Sequence, residues 1–165
     1  MIILGLDPSL SCTGWGVIRS EGSRIAHIAN GQIKTDAKAP MVERLHHLHD
    51  AVRSVLIAHS PDRAACEEVF VNKNPQSTLK LAQARGSVLA GCGANGLKVN
   101  EHSARLVKKA VVGTGAADKA QVQAMLKILL PGAEIVGADA ADALAVAIAD
   151  AHLSGAMSIR KRGYR

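Results

Sequence analysis

Ile2-Ile3-Leu4-Gly5-Leu6 is an unbroken apolar run that stops on a carboxylate, Asp7. So short a run, ended by Asp7-Pro8, predicts a buried strand. The acid at its end is the constraint, because an unpaired carboxylate taken out of water costs several kcal/mol. Three more acids are set in apolar surroundings. Glu67 lies in Ala64-Ala65-Cys66-Glu67-Glu68-Val69-Phe70, and Asp139 and Asp142 head an Ala-, Leu-, Val- and Ile-rich segment. Yet the chain carries a net charge of +6 with histidine neutral. Acids in the core elements of a basic protein predict a bound cation, and the positive excess predicts a polyanion such as nucleic acid.

The 165 residues suit one domain with room for a core. Aromatics make up 2% against 48% hydrophobic residues, so that core must be built from Ala, Val, Leu and Ile. No apolar stretch approaches the roughly 20 residues that span a bilayer. The N-terminal run has no basic lead and breaks at Asp7-Pro8, so no signal peptide and no membrane association are expected. Cys12, Cys66 and Cys92 are odd in number and lack CxxC spacing, which predicts neither a disulfide framework nor a zinc site, and a reduced, cytoplasmic setting.

The first third reads as a meander of strands at Ile2–Leu6, Gly14–Ile18 and Ile25–Ile33, with Ser20-Glu21-Gly22-Ser23 as the second connection. After Pro40, Val42, Leu45, Leu48, Val52, Val55 and Leu56 keep helical spacing until Ser60-Pro61-Asp62. A buried strand at Ala64–Val69, a helix from Gln76 to about Gly91 and a fifth strand at Leu97–Val99 follow. The remainder is helical: Ser103–Val112, then Lys119–Leu130 capped by Asp118 with Gln121 three residues on, then Asp139–Leu153 closed by Gly155. Residues 1–155 form the domain, and 156–165, with Arg160, Lys161, Arg162 and Arg165, read as a flexible basic tail. This order predicts a mixed α/β sheet with helices on both faces.

Asp7 and Glu67 lie on strands expected to be neighbours, and Asp139 and Asp142 share a helix face. If that helix crosses the sheet centre, four carboxylates converge. Each has an ordinary alternative: Asp7 as a turn residue, Glu67 on an edge strand, Asp139 and Asp142 as first-turn acids favoured by the helix dipole. Hard oxygen ligands suit magnesium, and two such ions about 4 Å apart activate a water and stabilise the leaving oxygen in phosphodiester hydrolysis. Glu67 and Glu68 compete for one role, since neighbours on a strand face opposite sides, and alternation does not choose between them. His46, His47 and His49 read as a solvated helix face, and Gly113-x-Gly115 lacks the Lys-Ser/Thr ending of a phosphate loop.

Five segments in order then identify a resemblance: Gly5-Leu6-Asp7-Pro8-Ser9 with Thr13-Gly14-Trp15-Gly16, Glu67-Glu68-Val69-Phe70 with Asn74, Leu81-Ala82-Gln83-Ala84-Arg85-Gly86, Val111-Val112-Gly113 with Ala117-Asp118-Lys119-Ala120-Gln121-Val122, and Asp139-Ala140-Ala141-Asp142-Ala143-Leu144-Ala145. Over about 150 residues the chain resembles the bacterial RuvC-type Holliday-junction resolvases. The resemblance implies a ribonuclease-H-like five-stranded mixed sheet and a cytoplasmic homodimer. It implies a magnesium-dependent endonuclease, using two Mg2+ per subunit with Mn2+ as a substitute, that nicks two like strands of a four-way DNA junction in recombination and repair. It implies a RuvA/RuvB-type branch-migration complex as partner. The family's catalytic acids fall on Asp7, Glu67, Asp139 and Asp142, so the choice of Glu67 over Glu68 comes from alignment. The third position varies between Asp and His in the family, and Glu68 stands where relatives often have Gln. Lys108 and Lys119 carry over as DNA-binding residues, and Phe70 as the aromatic that meets an unpaired base at the junction centre. Lys73, with Lys80, Arg85 and Lys109, is a further candidate for phosphate contact.

Two rival readings share part of this pattern. An actin-like ATPase also begins with a strand, an Asp and a glycine-bearing hairpin, but it needs two such domains and a second phosphate loop. A non-catalytic junction-binding protein on the same fold would not need all four acids.

Overall fold

The computed structural model describes the backbone of residues 1–69 and 74–162, and side chains through residue 154 apart from 70–73. Its strands are β1 (Ile2–Asp7), β2 (Cys12–Glu21), β3 (Arg24–Lys34), β4 (Arg63–Glu67) and β5 (Val99–His102). Its helices are α1 (Met41–His59), α2 (Pro75–Ala94), α3 (Ala104–Val112), α4 (Lys119–Leu129) and α5 (Gly137–Arg162). The strands form one five-stranded sheet in the order β3-β2-β1-β4-β5. β2 is antiparallel to β1 and β3, while β4 is parallel to β1 and β5. The expected mixed sheet with helices on both faces is therefore present.

Alternation along each strand sorts two cores. Ile3, Ile18 and Ala65 join α3, α4 and α5 on one face. Leu4, Leu6, Val17 and Ala64 join α1 and α2 on the other. Glycine sets how close α5 comes. A Cβ on Gly5 would lie 1.9 Å from the Ala143 carbonyl oxygen, and one on Gly14 would lie 1.9 Å from that of Asp139. Gly5 of β1 and Gly14 of β2 thus seat a helix backbone directly on the sheet. Gly5→Ala is expected to force α5 off the sheet and lower stability by about 3 kcal/mol or more, as overpacking against immovable backbone does. Urea denaturation reads this; an unchanged midpoint would show that the seat is not tight.

Several boundaries differ from expectation. β5 is Val99–His102 rather than Leu97–Val99. Gly96, at φ +69°, turns the chain out of α2, and Leu97 N still donates to the Cys92 carbonyl, so pairing with β4 begins only afterwards. Asn100, Glu101 and His102 have no strand-like polarity pattern, and only their parallel register with β4 makes them a strand. β4 ends at Glu67, not Val69, because its pairing with β5 ends at Glu67 and His102. α5 starts at Gly137 and runs past Gly155, so that glycine does not close it. The proposed tail at 156–165 lies outside the described side chains, and its last three residues lie outside the described backbone. In α1, Leu48, Val52 and Leu56 are buried and Met41 and Leu45 pack against the same core, but Val42 is exposed on the side of the helix turned away from it. The capping box at Asp118 and Gln121 forms with both of its hydrogen bonds.

One polar cluster had no sequence signal. Asp150 of α5 is fully buried. It accepts from Arg63 Nε at 2.5 Å, from Asn100 Nδ2 at 2.8 Å and pairs with His102 Nε2 at 2.9 Å. Arg63 also donates to Ser154 Oγ at 2.8 Å. Burial alone would raise the Asp150 pKa, but the hydrogen bonds from His102, Asn100 and Arg63, with the Arg63 charge, hold it below its usual 3.8. The cluster ties α5 to β4 and β5 beside a cleft of about 870 Å3.

Candidate active site

The site is built where β1 and β4 end. Their parallel pairing runs through Leu6 and Cys66, so Asp7 and Glu67 emerge side by side. Ala65 lies in the core under α5, and Glu67, two residues on, shares that face. Here the structure supplies a physical reason to take Glu67 over Glu68, which is exposed. The loop after Asp7 is locked by the buried Thr13: its hydroxyl donates to the Ser9 carbonyl at 2.7 Å and accepts from Ser9 N at 3.1 Å. This explains why threonine precedes Gly14 in the motif.

Asp7, Glu67 and Asp142 line a cavity of about 330 Å3 together with Lys108 and Lys119, and Ala104, Val107, Val122 and Ala145 supply apolar walls. Those walls remove water from charged groups. Burial, then the charges of Asp142, Glu67 and Asp139, push Asp7 from 3.8 up to about 7, with Lys119 opposing. Glu67 is pushed up by burial and by Asp142, against Lys108 and Lys119. Lys119 Nζ lies 2.9 Å from Asp142 Oδ2, and that hydrogen bond raises the lysine's own pKa. Asp139 is held apart from the cavity lining: its Oδ2 accepts from Gln32 Nε2 of β3 at 2.8 Å. Among the described residues, no three acid, histidine or cysteine side chains stand close enough to enclose an ion unaided.

The residues nevertheless fit a hard divalent cation. The donors are all carboxylate oxygens, their mutual repulsion and desolvation favour a bound positive charge, and Lys119 already sets one against Asp142. Magnesium is commonly held by one or two carboxylates, with water and substrate phosphate completing the shell.

The remaining candidates divide. Lys108 and Lys119 reach the cavity. Arg85 is paired with Glu101 of β5 and does not line the cavity. Lys80 and Lys109 are exposed and do not line the cavity. Phe70 and Lys73 lie outside the described residues. His46 and His49 both approach Asp50 at 3.3 Å on the outer side of α1, consistent with a solvated face. Gln32 and the Asp150 cluster were not found by sequence reasoning. A polar residue facing the α5 side of a strand was the one signal available for Gln32.

Comparisons with known proteins accord with this arrangement. The family model described as crossover junction endodeoxyribonuclease RuvC matches residues 3–150. The crossover junction endodeoxyribonuclease RuvC of Erythrobacter litoralis is 77% identical over 159 residues, covering 96% of this chain and 98% of its own. That of Sphingopyxis alaskensis is 69% identical over 152 residues, covering 92% and 97%. The solved structure of Thermus thermophilus RuvC in complex with Holliday junction substrate superposes with a TM-score of 0.90 at 30% identity, covering 95% of this chain and 96% of that one. Among the described residues no helix is long and apolar enough to cross a membrane.

Proposed function

Because the chain belongs to the RuvC family of crossover junction endodeoxyribonucleases, we propose that it resolves four-way DNA junctions, with Asp7, Glu67, Asp139 and Asp142 as its metal-holding acids. The observation that carries this is the single cavity in which Asp7, Glu67 and Asp142 face Lys108 and Lys119. Acids alone would serve any cation; acids with two lysines suit a cation and a phosphodiester together. Two divalent ions bound there, magnesium with manganese as a substitute, would generate the attacking water and clamp the attacking and leaving oxygens.

The chain's own groups prepare for this. Asp7 has Glu67 beside it and Asp139 across Gly14, which makes it the carboxylate suited to be shared. The apolar walls shield Asp7 and Glu67 from bulk water, which strengthens their interaction with nearby charge. Lys119 holds Asp142 and offers an incoming phosphate an ammonium group at the start of α4, where backbone N–H groups also favour anions. Phe70, just beyond β4, would stack on an unpaired base, and Lys73 would meet phosphate.

The assembly is a homodimer, its two sites matched to the pseudo-two-fold of the junction so that two like strands are nicked. Leu79, Ala82, Gly86, Ala90 and Gly93 support this: they are exposed and recur at helical spacing along one side of α2. The biological setting is recombination and repair in the cytoplasm, alongside a RuvA/RuvB-type branch-migration complex.

The test is a synthetic four-way junction incubated with the protein and Mg2+, resolved on a denaturing gel. Symmetric nicks in two opposed strands, abolished by chelation, are expected. Gel retardation with no nicks in any divalent cation would instead mark a junction-binding protein without catalysis. In the same assay Lys119→Met is expected to slow cleavage and to reduce the salt slope of junction binding by about one counterion. An unchanged salt slope would remove Lys119 from the phosphate contacts.

A further inference from the structure

Gln32 occupies the end of a row that crosses four strands. Glu67 on β4 lies beside Asp7 on β1, Asp7 pairs with Gly14 on β2, and Gly14 pairs with Gln32 on β3. The first turn of α5 lies on the gap in that row: a Cβ on Gly14 would strike the Asp139 carbonyl. Asp139 is therefore set between Asp7 and Gln32, and its carboxylate accepts from the amide of Gln32 at 2.8 Å, with the Cys12 thiol of β2 as a second, weaker hydrogen-bond partner. Gly137, whose φ of +83° favours glycine, packs beside that amide: a Cβ there would lie 2.6 Å from Gln32 Nε2 and would displace it. Two residues earlier on the same face of β3, Asn30 holds the chain leading into α5, donating to the Glu134 carbonyl and accepting from Val136 N, both at 2.8 Å.

We propose that Gln32 is a positioning residue for the metal site, holding Asp139 so that it presents a single oxygen to a divalent cation. This rests on the reading of Asp139 as an ion ligand. The chemistry of the donor matters. Lys119 on Asp142 sets a positive charge against that carboxylate, whereas a neutral amide fixes Asp139 and leaves its full negative charge for the ion. Engaging Oδ2 favours one-oxygen ligation, which suits a small octahedral cation. Donors of this kind orient first ligands and contribute to metal affinity without touching substrate.

The experiment measures Mn2+ binding to the DNA-free protein by electron paramagnetic resonance, beside junction cleavage as a function of Mg2+ concentration. Gln32→Leu is expected to raise the Mn2+ dissociation constant roughly 10–100-fold. The Mg2+ needed for half-maximal cleavage rises in step, while the rate at saturating Mg2+ returns toward that of the parent. Gln32→Asn, whose amide is one methylene short of Asp139, should do the same, and it keeps the test open should Gln32→Leu fold poorly. Asn30→Ala separates positioning from scaffolding: it loosens the same chain segment but leaves Asp139 its donor, so Mn2+ affinity should hold even if the melting temperature falls. Unchanged Mn2+ affinity in folded Gln32 variants, or an equal loss in Asn30→Ala, overturns the proposal. Asp139→Asn tells the two failures apart. If it too leaves Mn2+ affinity unchanged, the assignment of Asp139 as a ligand is at fault rather than the role of Gln32.

Discussion

Asp7→Asn should abolish junction cleavage while leaving junction binding and the fold intact. Asp7 is the acid most pressed by its surroundings, with burial and three neighbouring carboxylates all opposing its charge. A divalent cation relieves that repulsion, so removing the central carboxylate removes several kcal/mol of charge stabilisation, or ~10³-fold or more in rate. The same substitution should stabilise the metal-free protein. The folded-state pKa of about 7 lies above the ordinary 3.8, so the folded chain holds a proton that the unfolded chain has released between those values. Stability is therefore greatest at acid pH and falls as pH rises from about 4 through about 7, by up to about 4 kcal/mol for this group. Above pH 7, in chelator, Asp7→Asn should melt higher than the parent, and near pH 4 the difference should vanish. A variant that cleaves at the parental rate would end the metal reading. One that loses cleavage and also stability at pH 8 would show instead that Asp7 is a structural residue.

The second large effect lies away from the cavity. Asp150→Ala should cost about 3–5 kcal/mol, because it leaves the largely buried Arg63 side chain without its counter-charge. For a chain of this size that lowers the melting temperature by roughly 10 °C. Arg63 opens β4, and His102, another partner of Asp150, sits opposite Glu67 in the β4–β5 register. Loosening the cluster therefore frees the strand that delivers a site acid. The pH dependence runs opposite to that of Asp7. The folded pKa of Asp150 is depressed, so its contribution is complete above about pH 4 and disappears as pH falls through the folded value. Urea denaturation of Asp150→Ala and of the parent should thus differ most near neutrality and converge in strong acid. A difference below about 1 kcal/mol at pH 7 would mean that Arg63, freed of Asp150, regains water from the adjoining cleft at little cost.

Much of the site could be read from short stretches of chain. The apolar run ending on Asp7, the first-turn spacing of Asp139 and Asp142, and the Asp118 cap that starts α4 at Lys119 are all local patterns. Helix and strand periodicity act over a few residues, so the five strands and five helices were recoverable, apart from a few ends. β5 was misplaced because its polar residues are a strand only through their neighbour. Arg85 looked like a free cation until α2 came to lie over Glu101.

By itself, then, the sequence determined the order of elements, the acids that close them and the lysine that opens α4, since each follows from bonds and side chains near in the chain. The tertiary structure alone decided which glutamate faces α5, which cations are already paired, and that Gln32 meets Asp139 across 107 residues. Those contacts depend on cross-strand register and on how closely a helix lies on Gly5 and Gly14. Neither is a property of any local segment, because each is set by the simultaneous packing of elements far apart in the chain.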